Sequence, residues 1–120
     1  MRVGSLKLKA QLFCGEEPAM GPGKADLLEA IDQTGSISAA GRALGMSYRR
    51  AWLLVDSMNR CFRDRLVDTT AGGGQARGAR LTPTGCDVLA RYRALEGRLA
   101  SVVVNDLQGL EALLRPTPLP

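Results

Sequence analysis

The chain has 120 residues and no histidine, and its aromatic side chains are one tryptophan, two tyrosines and two phenylalanines. Without histidine it lacks the side chain that most often moves protons near neutral pH. No serine has a visible base beside it, and Glu16 and Glu17 sit next to each other before Pro18, which is loop composition and not an acid–base pair. An enzyme is therefore not expected. Cysteine is sparse: Cys14, Cys61 and Cys86 are odd in number and far apart, which suits a reducing compartment and no disulfide framework. With no close cysteine pair, no zinc ligand set exists, so neither metal nor cofactor is expected, and the three thiols read as small core residues. No run approaches the roughly 18 apolar residues of a membrane span. The N-terminus, MRVGSLKLKA, alternates lysine with leucine where a secretory signal would have an apolar block. A cytoplasmic protein with no membrane partner is expected. GPGK, residues 21–24, lacks the GxxxxGK[ST] spacing of a nucleotide-binding loop, and Lys24 reads as a surface residue within possible reach of a phosphate.

What the chain does have is positive charge in one place. The net charge is +4, and residues 42–65 contribute six arginines against two aspartates. Residues 1–41 and 94–120 are each slightly acidic, and residues 66–93 add a balance of +2. Localised positive charge is what phosphate contact requires, because each neutralised phosphate releases a condensed counterion.

That basic region coincides with a motif, GSISAAGRALGMSYRRAW, residues 35–52. Ser36 is a good N-cap for a helix whose inward face is Ile37, Ala40 and Leu44. Ala39, Ala40, Gly41 and Ala43 are small enough for a neighbouring helix to lie close across it. Gly45 can take the positive φ of a sharp turn, and Ser47 caps a second helix. There Ala51, Val55, Met58 and Phe62 form the buried stripe, leaving Arg49, Trp52, Leu53, Asp56 and Arg60 on other faces. The pattern is that of a helix-turn-helix, whose second helix (about 47–62) enters the major groove of double-stranded DNA. Arg49 can fork onto a guanine edge, Tyr48 can bond a phosphate, and Trp52 can pack on a sugar or a thymine methyl. Arg50 and Arg60 read as phosphate contacts or surface charge.

The flanks complete a fold. Leu6, Leu8, Ala10 and Leu12 alternate with polar residues, which predicts one half-buried strand. A helix follows from about Lys24 to Gln33, stopped by Thr34-Gly35. Two short strands, Leu66–Thr70 and Ala79–Leu81, enclose the glycine-rich segment AGGGQARG, making a wing of about 66–81 with Gln75, Arg77 and Arg80 near its tip. Thr82 and Pro83 then open a helix of about 83–114, on which Val88, Tyr92, Leu95, Leu99, Val103, Leu107, Leu110 and Leu114 share one side. It would extend about 48 Å at 1.5 Å per residue, too far for one small domain to cover, so pairing with a second copy is expected ahead of a break near Asn105-Asp106 or Gly109. The expected architecture is mainly α with a small β component. It is a single winged helix-turn-helix domain over 1–114, with a long C-terminal dimerisation helix and a disordered tail over 115–120.

Residues 21–95 resemble the DNA-binding half of the ModE-type, molybdate-responsive regulators, a winged-helix group related to LysR-type regulators. The residues behind the resemblance are GPGKADLLEAIDQTGSISAAGRALGMSYRRAWLLVDSMNR, LVDTTAGGGQARGARLTPTG and LARYRALE. It implies a homodimer on a palindromic operator, with DNA contacts at Ser36, Ser38, Ser47, Tyr48, Arg49, Trp52 and the wing near Arg77. Those regulators have a second, oxyanion-binding domain beyond this one, and the present 120 residues end before it could begin, which leaves molybdate or another oxyanion doubtful as a partner. Two other functions are carried as alternatives. One is a protein-interaction module that recruits a partner through Leu99 and Val103. The other is an oxyanion sensor at the dimer seam, using Arg91, Arg93 and Arg98.

Overall fold

The structure, a computed structural model, describes residues 1–70 and 78–120. It begins with two antiparallel hairpins, β1 (Arg2–Val3) with β2 (Leu6–Lys7) and β3 (Leu12–Cys14) with β4 (Glu17–Met20). The Leu6–Leu12 alternation is thus divided between two hairpins and does not form one strand. Gly4 and Gly15 are the cause: both adopt positive φ, 56° and 60°, so each folds the chain back on its nearest neighbours. Pro18, expected in a turn, lies in β4, which pairs only with β3 among the described strands, so its missing N–H interrupts nothing.

Helix α1 (Pro22–Thr34) starts two residues before the expected Lys24, with Pro22 at the first position, where no N–H is needed. It ends at Gly35, which takes φ 72° and returns its N–H to the Ile31 carbonyl at 2.8 Å. Leu27, Leu28 and Ile31 are fully buried. Helix α2 (Ile37–Ala43) and helix α3 (Tyr48–Cys61) follow, joined through Gly45 at φ 71°. Their crossing is close because one residue there has no side chain. A Cβ placed on Gly41 would stand 3.1 Å from the Ala51 Cβ. The α3 stripe of Ala51, Val55 and Met58 is buried as its spacing predicts, and Phe62 packs against it from just past the helix end.

The wing strands are β5 (Val67–Thr70) and β6 (Gly78–Leu81), paired antiparallel with Val67 opposite Leu81 and Thr70 opposite Gly78. The intervening tip, with Gln75 and Arg77, lies outside the described residues. Asn59 clamps the entry to the wing. Its Oδ1 accepts the N–H groups of Leu66 (2.8 Å) and Val67 (3.1 Å), while its amide donates to the Val67 carbonyl. Thr82 caps α4 (Pro83–Val102) by accepting the Gly85 N–H at 2.9 Å.

The predicted 83–114 helix is interrupted at Val103, and α5 (Val104–Glu111) continues beyond it. The interruption falls neither at Asn105-Asp106 nor at Gly109. Val102, Val103 and Val104 are three consecutive β-branched residues, which lose rotamer freedom against the preceding helical turn. The Leu113 and Leu114 N–H groups bond back three residues, to Leu110 and Glu111, a tightened end before Pro116. Residues 115–120 form no helix or strand, and Pro116, Thr117 and Pro118 border a cavity with Leu6, Leu107 and Leu110. The first hairpin docks there too, its Ser5 N–H donating to Glu111 Oε2 at 2.9 Å.

Candidate nucleic-acid interface

Two serines set the start of the two motif helices. Ser36 Oγ accepts the Ala39 N–H and Ser47 Oγ accepts the Arg50 N–H, each at 3.1 Å. Each hydroxyl keeps its own proton available to donate outward. Tyr48, Arg49 and Arg50 occupy the first turn of α3 and are all exposed. Trp52 follows one turn on, with its ring edge-on to Tyr48 at a centroid separation of 6.3 Å and an interplanar angle of 81°. Trp52 is not a core residue, since it is 37% exposed while Ala51 and Val55 beside it are buried.

An open cleft of about 500 Å³ unites α2, α3 and the wing. Ser36 and Ser38 line the α2 side, Tyr48 and Trp52 the α3 side, and Thr69 and Thr70 the wing side. Six side chains from three elements therefore converge, and four of them were expected from sequence. Thr69 and Thr70 were not, because nothing in VDTT marks a wall of a cleft until the pairing register is known. The wing is anchored in place by the Ala79 N–H, which donates to the Gly35 carbonyl at 2.8 Å. Gly78 permits this approach, since a Cβ there would meet Thr70 Oγ1 at 3.2 Å and the Gly35 carbonyl at 3.4 Å. Arg80 is exposed and lies opposite Asp68 in the ladder, one residue out of phase with the buried Val67 and Ala79. Arg77 lies outside the described residues.

The charges sort into held and unheld. Arg60 donates to Asp56 at 2.9 Å and to both Glu17 oxygens, at 2.9 and 3.2 Å, so its reading as a phosphate contact is corrected: it ties α3 to the second hairpin. Lys24 is also committed internally, donating to the Pro18 carbonyl and to Ser57 Oγ. Burial pushes its ammonium below the usual lysine range, and it makes a poor phosphate ligand. Arg93 contacts Asp26, Glu29 and Glu96, at 2.7, 2.7 and 2.9 Å. Arg49 and Arg50 make no ion pair among the described residues. Tyr92, by contrast with Tyr48, is buried and donates to the Ala10 carbonyl at 2.8 Å, and burial pushes its phenol up to about 12. The thiols are not core residues as expected: Cys14 and Cys86 are exposed and Cys61 is partly buried. Cys14 belongs to a hairpin whose outer residues face solvent, and Cys86 to the solvent side of the first turn of α4.

Among the described residues no three potential metal ligands cluster, and no helix is long and apolar enough to cross a membrane.

Three helices, a glycine turn and a docked two-stranded wing define a winged helix-turn-helix. The sequence profile described as "Bacterial regulatory helix-turn-helix protein, lysR family" matches residues 24–86, more than half of the chain, and the protein belongs to that family. The matched residues are the helix-turn-helix segment of that family. The region is ModE-like: the chain is 39% identical over 95 residues to the molybdenum transport protein ModE of Herbaspirillum seropedicae, covering 74% of this chain and 35% of the relative. It is 34% identical over 91 residues to the DNA-binding transcriptional dual regulator ModE of Escherichia coli, covering 76% of this chain and 32% of the relative. The chain thus spans about a third of the length of these curated relatives. Among solved structures, ArgP from Mycobacterium tuberculosis aligns with a TM-score of 0.49 at 21% identity, over 72% of this chain and 30% of that one.

Proposed function

We propose that the protein reads a specific double-stranded DNA sequence as a homodimer, each copy placing the front of α3 in a major groove. One observation supports this above others. Arg49 and Arg50 stand exposed without an acidic partner among the described residues, next to an exposed tyrosine–tryptophan pair, whereas Arg60, Arg65, Arg91 and Arg93 are all paired. In this reading Arg49 and Tyr48 meet base edges and adjacent phosphates, and Arg50 neutralises a phosphate. Trp52 packs on sugar or a thymine methyl, and the hydroxyls of Ser36, Ser38 and Ser47 donate to the backbone. Arg77, outside the described residues, is kept as a DNA contact on the family resemblance alone. The homodimer rests on apolar side chains left exposed along α4 and α5, where Val102 is 74% and Leu110 62% accessible.

The seam-sensing alternative loses ground, because Arg93 is surrounded by three carboxylates and Arg91 pairs with Asp87 at 3.0 Å. Of its three candidate cations, only Arg98 makes no ion pair among the described residues. The relatives' names make molybdenum a reasonable physiological context, so binding is best measured with and without molybdate.

The test is selection of bound sequences from a random duplex pool, followed by titration at fixed salt. Arg49→Ala should weaken binding to the selected site by about 1–3 kcal/mol and relax one base position. Equal loss on selected and random duplexes would make Arg49 a phosphate contact. No binding to any duplex in dilute buffer would end the proposal, and a single chain per bound site in sedimentation would end the dimer.

A further inference from the structure

The second hairpin and the far end of α3 meet at a cluster that plays no part in the DNA-reading front. Cys14 and Glu17 are cross-strand partners in the β3–β4 ladder, so their side chains leave the hairpin on the same face. That face is turned toward α3: the Glu17 carboxylate accepts Ser57 Oγ at 2.7 Å and Arg60 at 2.9 Å. Cys61 follows Arg60 directly and lies one helical turn beyond Ser57. The hairpin register therefore brings Cys14 to the turn that bears Cys61, and Cys14 is among the neighbours that raise the Cys61 thiol. Burial, then the nearby Glu17 carboxylate, push the Cys61 thiol up; Cys61 is partly buried, whereas Cys14 is exposed. Cys86 is on α4, and among the described residues no interaction joins it to either.

We infer that Cys14 and Cys61 form a redox-responsive pair, closing an intrachain disulfide that staples the β3–β4 hairpin to the last turn of α3. The reagent class is a small soluble disulfide. The exposed Cys14 thiolate attacks it, forming a mixed disulfide and releasing one thiol. The Cys61 sulfur then attacks Cys14 Sγ, forming the protein disulfide and releasing the second thiol. The two protons lost by the cysteines end on the two released thiols, and the two electrons reduce the reagent. The staple lies 13 residues along α3 from Tyr48, about 20 Å at 1.5 Å per residue. It reinforces the hairpin without altering the exposed front, and it holds whether or not that front reads DNA.

The experiment incubates the full chain, folded, with oxidised glutathione, then blocks free thiols and maps peptides without reductant. The expected product links the Cys14 and Cys61 peptides with loss of two hydrogens, is reversed by dithiothreitol, and leaves Cys86 blocked. Cys86→Ser should leave the link intact, and Cys14→Ser should leave Cys61 free and unglutathionylated. A Cys14 that keeps glutathione while Cys61 remains a free thiol overturns the proposal, as does linkage of Cys14 to Cys86.

Discussion

Gly85→Ala is the substitution whose cost the structure fixes most directly. Gly85 sits in the first turn of α4 and is buried against the start of the wing. A Cβ added there would lie 2.1 Å from the Leu66 carbonyl oxygen and 3.0 Å from its carbon. Ordinary contact begins near 3.4 Å, so the backbones must separate by more than an ångström. Neither side can yield alone. The Leu66 carbonyl accepts the Thr82 N–H at 2.9 Å, and its N–H is held by Asn59. Overpacking of well-packed sites costs about 1–3 kcal/mol, and a clash with backbone belongs at the upper end. The helix-propensity gain of alanine over glycine returns about 0.5–1 kcal/mol. A net loss of about 2–2.5 kcal/mol should lower the melting temperature by about 10 °C for a domain of this size. Gly97→Ala is the matched control, since nothing lies within 4 Å of a Cβ there and its only effect is the propensity gain. Melting followed by far-ultraviolet circular dichroism separates the two. If Gly85→Ala melts within a degree or two of the parent, the α4–wing junction described here is wrong, and with it the placement of Thr69 and Thr70 in the cleft.

Ser47→Ala removes the acceptor for the Arg50 N–H and should cost about 1 kcal/mol in urea unfolding; Ser47→Asp, which keeps an acceptor, should restore most of it, and no difference between the two would show that the cap is idle. The Glu17 carboxyl is held below its usual 4.5, first by the Ser57 hydroxyl and then by the Arg60 guanidinium. Its folded value lies below its unfolded one, so its contribution to stability is present above pH 4.5 and is lost as pH falls through the lowered value. A nuclear magnetic resonance titration should place the Glu17 midpoint below 4.5, and a midpoint at or above that value would dissolve the proposed anchoring of the hairpin.

The helix-turn-helix was readable because its signals are local. A serine cap, a glycine at the turn and a run of small residues act within a few positions of one another, and each does in the fold what its chemistry suggests. The hairpins were not readable in the same way. Lysine–leucine alternation looks identical in one strand and in two, and the choice was made by glycines at positions 4 and 15 adopting positive φ. Basic residues were the least legible. Arg60 and Arg50 look alike in the sequence, yet Arg60 is neutralised by Glu17, 43 positions away, and Arg93 by Asp26, 67 positions away. Such partners emerge only when distant elements pack. The same holds for Cys14 and Cys61, whose separation in sequence hid a shared cluster.

The cleft at the front of α3 owes its shape to backbone contacts more than to its own side chains. Gly41 lets α2 and α3 approach until only a 3.1 Å space would remain for a Cβ, which sets the spacing of the two helices that carry Ser38 and Tyr48. Gly35 ends α1 and offers its carbonyl to Ala79, which fixes the wing against the same corner. Asn59, on α3 itself, holds the first wing residues through three hydrogen bonds. Each wall is thus tied to the others by groups that would not touch a ligand. A surface assembled this way is already ordered before it meets a partner, so little binding energy is consumed in ordering it. The side chains at its rim, Tyr48, Arg49 and Trp52, are then free to be chosen for what they recognise, because none of them is needed to hold the fold together.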